Sequence, residues 1–313
     1  MKVSVVIPNW NGLRFVGMCL DSMEKSVFRD FEVIVVDNGS TDGSRELIEE
    51  QYPWVRMIKL PENLGFAKAC NDGIKASDAE FICLLNNDIE IDPNWLGEIV
   101  EGMERHPECG MGTTKMMFLD ERDVFYNTGD LFHAWSAGGG RGQGEKDVGQ
   151  YDQEDYVFGA CAGAGIYRRE LFETVGIFDE DFFIFAEDVD LNMRSQLQGF
   201  QCVYVPQAKV YHIGTATVGL YSDRYVYLCK RNDVFVLIRN FSLKLYCKYL
   251  FTILKHQFRD IRYFTSRGQG MVLLKSKFDA LKMLLPMLKR RYQIQKSRTV
   301  PDSEIEKLII TDK

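Results

Sequence analysis

Apolar and polar positions along the first third of the chain fall into two alternating patterns. Runs at residues 3–7, 32–36 and 55–60, the first of them largely β-branched, predict strands. After each comes a polar loop and then apolar residues spaced three and four apart: Phe15, Cys19, Leu20 and Met23; Leu47, Ile48 and Tyr52; Phe66, Ala69, Cys70, Gly73 and Ile74. Strand, loop and helix in succession predict βαβ units, right-handed crossovers and an α/β fold with a mostly parallel central sheet flanked by helices. A further run, Phe81-Ile82-Cys83-Leu84-Leu85, predicts the central strand.

Candidate chemistry sits where these strands end. Ligands of open α/β sheets gather outside the carboxyl ends of the strands. Three loops, Pro8-Asn9-Trp10-Asn11-Gly12, Asp37-Asn38-Gly39-Ser40-Thr41-Asp42 and Pro61-Glu62-Asn63-Leu64-Gly65, fall there, as does the triplet Asn86-Asn87-Asp88. Side chains of this kind can read a base and a ribose. A dehydrogenase-type dinucleotide site is excluded, because G-x-G-x-x-G is missing after the first strand, and no G-x-x-x-x-G-K-[ST] occurs anywhere. Asp37 can accept from the imino N–H of a pyrimidine, or serve as a turn or N-cap residue. Asp88 is a candidate metal ligand, and the triplet can equally be a turn.

Farther along, patterning weakens between residues 113 and 156. The stretch 138–144, GGGRGQG, has five glycines in seven residues and predicts a mobile loop, either a lid or an idle surface segment. Small residues at 158–165 permit close backbone approach, and a short helix is expected at 168–175. Acidic Glu187, Asp188 and Asp190 then crowd the first turn of a helix that points Leu191, Leu197 and Phe200 to the core. They can complement the helix dipole, or, beside Phe182, Phe183 and Phe185, acquire the raised carboxyl pKa that suits proton transfer. A last strand at 202–205 leads through Pro206 to His212, a core histidine or a metal ligand.

Composition adds a division of charge. Of 313 residues, 46% are hydrophobic, which allows one large α/β domain and an accessory segment. Residues 1–223 carry 18 Lys and Arg against 38 Asp and Glu, whereas 224–313 carry 20 against 7. A basic tail suits nucleic acid or an anionic membrane. Its apolar residues recur at helical spacing: Tyr246, Tyr249, Leu250, Ile253 and Leu254, then Leu274, Phe278, Leu281, Leu285 and Leu288, the second set flanked by Lys275, Lys277, Lys282, Lys289, Arg290 and Arg291. Such a segment can lie in a membrane interface, or pack on the catalytic domain or on a second subunit of a homodimer. Eight cysteines without a C-x-x-C pair, no secretory signal and no long apolar span lead to the expectation of a cytoplasmic protein, soluble or held at a surface.

Taken in order, these pieces resemble the inverting family 2 glycosyltransferases of GT-A fold, and within them the bacterial rhamnosyltransferase-like branch. The resemblance is carried by VSVVIPNWNG (3–12), VVDNGSTDGS (35–44), NLGFAKACNDGI (63–74), LLNNDIEI (84–91), the long block 159–194 containing FAEDVDLNMR, and VYHIGTAT (210–217), and covers about residues 1–240. It implies a GT-A catalytic domain over 1–223, its nucleotide-binding half about 1–115 and its acceptor half about 116–223, followed by a basic helical extension, 224–313. By resemblance, Pro8, Trp10 and Asn11 would line the base pocket with Asp37 on the pyrimidine, and Asn63, Gly65 and Asn71 would lie near ribose and diphosphate. Asp88 would end a D-x-D-like motif and hold a divalent metal, Mn²⁺ or Mg²⁺, with His212. Asn86 stands where many relatives have aspartate, which removes a charge from that motif, and Asn87 lies beside it.

Asp188 would be the general base, supported by Glu187 and Arg194. The implied donor is a pyrimidine nucleotide sugar, dTDP-rhamnose or a UDP-sugar. The implied acceptor is a saccharide or lipid-linked hydroxyl, with the tail directed to membrane rather than nucleic acid. A sugar-nucleotide pyrophosphorylase would need a glycine-rich basic first loop, which 8–12 is not. A non-catalytic nucleotide- or carbohydrate-binding protein would have little use for Asp88, Asp188 and His212 together.

Overall fold

The computed structural model describes residues 1–214, 219 and 221–311, so residues 215–217 of the expected 210–217 block lie outside the described residues. The chain runs β1 (Val3–Asn9), α1 (Val16–Glu24), β2 (Phe31–Asp37), α2 (Ser44–Gln51), β3 (Arg56–Lys59), α3 (Phe66–Ala76), β4 (Phe81–Leu85), β5 (Ile89–Ile91), α4 (Trp95–Arg105) and β6 (Cys109–Phe118). It continues with β7 (Phe125–Asn127), β8 (Asp130–His133), β9 (Ser136–Gly140), β10 (Asp155–Val157), β11 (Ala164–Arg168), α5 (Arg169–Val175), α6 (Glu187–Leu197) and β12 (Gln201–His212). The extension comprises α7 (Asp223–Asn240), α8 (Leu243–Ser266), α9 (Gly270–Lys282), α10 (Leu284–Ser297), α11 (Asp302–Leu308) and β13 (Ile309–Ile310).

The main sheet has the order β10-β12-β6-β11-β4-β1-β2-β3, with β5 added to β12 and β7 to β6. Strands β1, β2, β3 and β4 are parallel, β11 enters antiparallel between β4 and β6, and β12 returns parallel to β6. Continuous apolar runs are required because both faces are covered. Phe81, Cys83 and Leu85 of β4 join one core with α1 and α4, while Ile82 and Leu84 join the other with α3 and α6. Helix α3 comes close enough to β1 that a Cβ on Gly73 would lie 2.2 Å from Val6 Cγ1.

Two sequence expectations need correction. The glycine stretch is not wholly a loop: Gly138, Gly139 and Gly140 end β9, which pairs antiparallel with β8 as Leu131↔Gly139 and Asp130↔Gly140. Pairing with a neighbour overrides the weak intrinsic strand preference of glycine, and the missing side chain lets Gly138 lie against Val189 of α6. The last strand does not stop at Val205. A register shift between Val205 and Lys209 absorbs Pro206, and pairing with β6 resumes to His212↔Phe118.

The extension is helical, as its periodicity predicts, and it shares a core with the catalytic part. Phe235, Val236, Phe241, Leu245 and Ile253 cluster with Phe132, Phe158, Phe182, Val189 and Met193, and β13 pairs with β8. Gly73→Ala is expected to lower stability by about 1–2 kcal/mol, because overpacking against Val6 outweighs alanine's helix propensity. A denaturant midpoint unchanged or raised would show that α3 can move away from the sheet.

Candidate active site

The polar ends of β1, β2 and β4 meet through side-chain hydrogen bonds. Asp37, fully buried at the end of β2, accepts from Asn9 Nδ2 at 3.2 Å, and Asn9 Oδ1 accepts from Asn87 Nδ2 at 2.7 Å. Arg45 holds Asp37 Oδ2 through Nε at 2.9 Å and Nη2 at 2.5 Å. Oδ2 also accepts from the N–H of Ser40 at 3.3 Å, so three donors crowd that oxygen while Oδ1 has only Asn9 and keeps a free lone pair. Around the first loop, Asn11 bonds Ser40 and Thr41 and has φ of 49°, while Pro8 and Trp10 are half-buried. Asn63 Oδ1 accepts from Asn38 Nδ2 and from the backbone N–H of Gly65.

The path continues toward β11. Asn86 donates its backbone N–H to the carbonyl of Gly163 at 2.8 Å, and Ala162 donates to Asp188 Oδ2 at 3.4 Å. Asp188 Oδ1 also accepts from the N–H of Val189 at the start of α6. Hydrogen bonds thus link Asp37 to Asn87 through Asn9, and the strand end at Asn86 to Asp188 through Gly163 and Ala162. β12 pairs with β5 as His212↔Ile89, which brings His212 Nε2 to 3.0 Å from Asp88 Oδ1.

Asp88 and His212 are both buried, the imidazole is packed edge-on by Tyr126 at 4.4 Å, and its Nδ1 has no hydrogen-bond partner among the described residues. A carboxylate oxygen and imidazole Nε2 facing each other are donors that fit a divalent ion such as Mn²⁺. Among the described residues no third His, Cys, Asp or Glu completes a protein cage. Such an ion would need substrate oxygens or water, the usual arrangement where a metal meets a phosphate ligand.

Two further carboxyl groups lie beside the expected base. Burial pushes Asp188 up from the ordinary carboxylate range, against the lowering effect of the Val189 and Ala162 N–H groups. Glu187, with Oε2 unpartnered, and Asp130 are pushed well up, by burial first and then by the charge of Asp188. Sequence reading did not find Asp130. It accepts from Asn127 and Asn192, and its only signal was an acidic residue opening the apolar stretch Leu131-Phe132.

Arg194 and Asn71 are corrections. Helical periodicity places Arg194 one turn below Asp190, whose carboxylate it meets at 2.8 Å, and its other N–H groups go to the carbonyls of Val175, Gly176 and Ile177. It does not touch Asp188. Asn71 spends both Nδ2 hydrogens on Phe178 O and Glu180 Oε1. The two residues line a separate cavity of about 750 Å³ with Asp179, Arg239 and Arg290.

The mixed, mostly parallel sheet flanked by helices is a GT-A-type α/β fold. The model for "Glycosyl transferase family 2" matches residues 4–176, and the chain belongs to that family and is a glycosyltransferase. It is 29% identical over 226 residues to the O-antigen biosynthesis protein RfbC of Myxococcus xanthus, an alignment that spans 69% of this chain but only 18% of that much longer protein. It is 26% identical over 253 residues to the N-acetylglucosaminyl-diphospho-decaprenol L-rhamnosyltransferase of Mycobacterium tuberculosis, over 68% of this chain and 80% of the relative. Among solved structures it resembles GalNAc-T7 with UDP, GalNAc and Mn²⁺, with a TM-score of 0.63 and 15% identity over 96% of this chain and 58% of that one, a likeness of fold.

A base works only when ionised, so a raised pKa moves the acid limb of turnover to higher pH. The acid limb of kcat/KM is therefore expected above the ordinary carboxylate value of about 4. Asp130 is pushed further up than Asp188 and is neutral where Asp188 ionises, so Asp130→Asn should leave that limb in place. A limb moved to lower pH by the substitution would show that Asp130 is ionised beside Asp188.

Proposed function

We propose that this glycosyltransferase moves a sugar from a pyrimidine nucleoside diphosphate sugar, dTDP-rhamnose or a UDP-sugar, to a hydroxyl of a lipid-linked or cell-surface saccharide, with inversion. The reading is supported chiefly by the contacts that join Asp37 to the strand end 86–88, pair Asp88 with His212, and tie Ala162 beside that strand end to Asp188. The names of the relatives in Myxococcus xanthus and Mycobacterium tuberculosis support the acceptor class.

In this mechanism Asp37, with Pro8, Trp10 and Asn11 around it, receives the base, and Asn63 and Gly65 flank the ribose and diphosphate. Asn86 and Asn87 hold the strand end beneath them. Asp188 takes the proton of the acceptor hydroxyl while that oxygen bonds to the anomeric carbon. The bond from this carbon to the diphosphate oxygen breaks, its electron pair leaving with the nucleoside diphosphate. Burial of Asp188 favours its accepting a proton, and its charge in turn helps to keep Glu187 and Asp130 un-ionised beside it. Asp88 and His212 would hold a divalent ion, which supplies positive charge against the leaving diphosphate.

Asp188→Asn should keep UDP binding within about twofold and lower turnover by roughly 10²–10⁴. Near-normal turnover would remove Asp188 from the role of base. Asp88→Ala should weaken donor binding in the presence of Mn²⁺ and have little effect in its absence. Equal weakening with and without the ion would argue against ligation by Asp88.

The extension is assigned to an anionic membrane. Phe251, Leu254 and Phe258 of α8, Met271, Leu274, Phe278 and Leu281 of α9, and Leu285 of α10 are all more than half exposed. Ile261, Met271 and Leu274 share a groove of about 560 Å³ between α8 and α9. Of the six basic residues flanking the second stripe, Lys275, Lys282 and Lys289 are exposed, while Lys277 donates to the carbonyl of Lys230 and Arg290 pairs with Asp179 and Asp181. Exposed apolar side chains beside exposed lysines complement anionic headgroups over an acyl layer. No helix among the described residues is long and apolar enough to cross a membrane. The full chain should float with phosphatidylglycerol vesicles, less so at high salt, and Phe278→Ser with Leu281→Ser should reduce flotation severalfold. Failure of the unmodified chain to float would end the membrane assignment.

A further inference from the structure

The segment that delivers Asp188 has an unusual backbone. Phe183, Phe185 and Ala186 have φ of 66°, 74° and 64°, three non-glycine residues in the left-handed half of conformational space immediately before Glu187 and Asp188. Each is unfavourable for a residue with a Cβ, and such strain persists only where surrounding contacts over-determine it.

Those contacts come from two sides. On one side, Asn232 of α7 is fully buried and shares its two Nδ2 hydrogens among the carbonyls of Phe182 at 3.0 Å, Ile184 at 3.0 Å and Phe185 at 2.7 Å. Its neighbour Arg231 donates Nη2 to the carbonyls of Asp181 and Phe182, both at 2.9 Å. On the other side is the entrance to α3. Ala67 donates to the carbonyl of Phe183 at 3.2 Å, and Gly65, with φ of 97°, has no room for a Cβ, which would meet Phe183 O at 2.7 Å. The aromatic segment thus bridges the loop expected to flank the donor and the first helix of the basic extension.

We infer that Asn232 is a positioning residue of the transfer reaction, holding 182–186 in its left-handed form and thereby fixing where Asp188 meets the acceptor. The sequence offers a reason for the residue type: one planar amide can donate toward several carbonyls of a tight turn, which neither an apolar residue nor an aspartate at this position could do. The extension then has a part in catalysis apart from any membrane contact. This inference rests on the assignment of Asp188 as base.

The test is hydrolysis and transfer of UDP-GlcNAc and dTDP-rhamnose with Mn²⁺ by the full chain, together with UDP affinity and hydrogen exchange over residues 181–188. Asn232→Ala should lower kcat about tenfold or more, change UDP affinity less than about twofold, and speed exchange in that segment. Adding Ala186→Gly, which removes the penalty for positive φ, should recover severalfold in kcat. Asn232→Ser, keeping one donor, should give the same division at smaller amplitude and serves if the alanine variant does not fold. Normal kcat in the Asn232 variants beside an inactive Asp188→Asn would overturn the inference and leave the base intact. Loss of kcat with no recovery by the glycine would overturn it too, as a purely structural role. Failure of the unmodified chain to consume any nucleotide sugar would instead count against the proposed donor, and with it against the inference.

Discussion

The pairing of β12 with both β6 and β5 is the constraint on which the site depends. One long strand starts beside Cys109, passes Pro206 by shifting register, and ends with His212 opposite Ile89. Without that shift, the proline would break the ladder in the middle of a buried sheet, since it lacks the N–H that a neighbour requires. With it, a histidine 124 residues away from Asp88 in the chain reaches 3.0 Å from its carboxylate. Antiparallel β11 performs the corresponding task between β4 and β6, placing Ala162 and Gly163 between Asn86 and Asp188.

The site spends stability to obtain chemistry. Glu187, Asp188 and Asp130 lie close in low-dielectric surroundings, and the left-handed residues ahead of them add backbone strain. Compensation comes from outside the cluster. Asp190, two residues on, is buried too, yet Arg239 and Arg194 overcome the effect of burial and hold its carboxyl below the ordinary range, with Asn240 also donating to it. Two of these three partners belong to α7, so the extension neutralises the acidic start of α6 on the side that carries Asp190. That division, acids resisting ionisation toward the site and an acid locked in ion pairs behind it, follows from the 3.6-residue period of a single helix.

The extension faces two ways for the same periodic reason. Ile253, Leu273, Ala280 and Met287 are buried, whereas Leu254, Leu274, Leu281 and Leu288 one position later are exposed. Ile253, Ala280 and Met287 close the core around Phe182 and Val189, Leu273 packs with Val226 and Phe264, and the next stripe remains outside, so packing on the α/β part and display of apolar surface coexist.

By itself the sequence determined those elements whose pattern is local. Strand β4 has the expected bounds because both of its faces are buried, so every position had to be apolar, and the acidic opening of α6 was marked by composition. Tertiary structure decided the rest. Gly138–Gly140 is a strand only because β8 supplies its hydrogen-bond partners, and Arg194 serves Asp190 rather than Asp188 because of the direction in which α6 turns. Tyr126 and Asn232 had no local mark, and Asp130 had only that of an acid opening an apolar stretch, since a polar residue's part is set by what lies across from it. Hydrophobic period is a property of neighbours in the chain, whereas hydrogen bonds and charge coupling belong to neighbours in space.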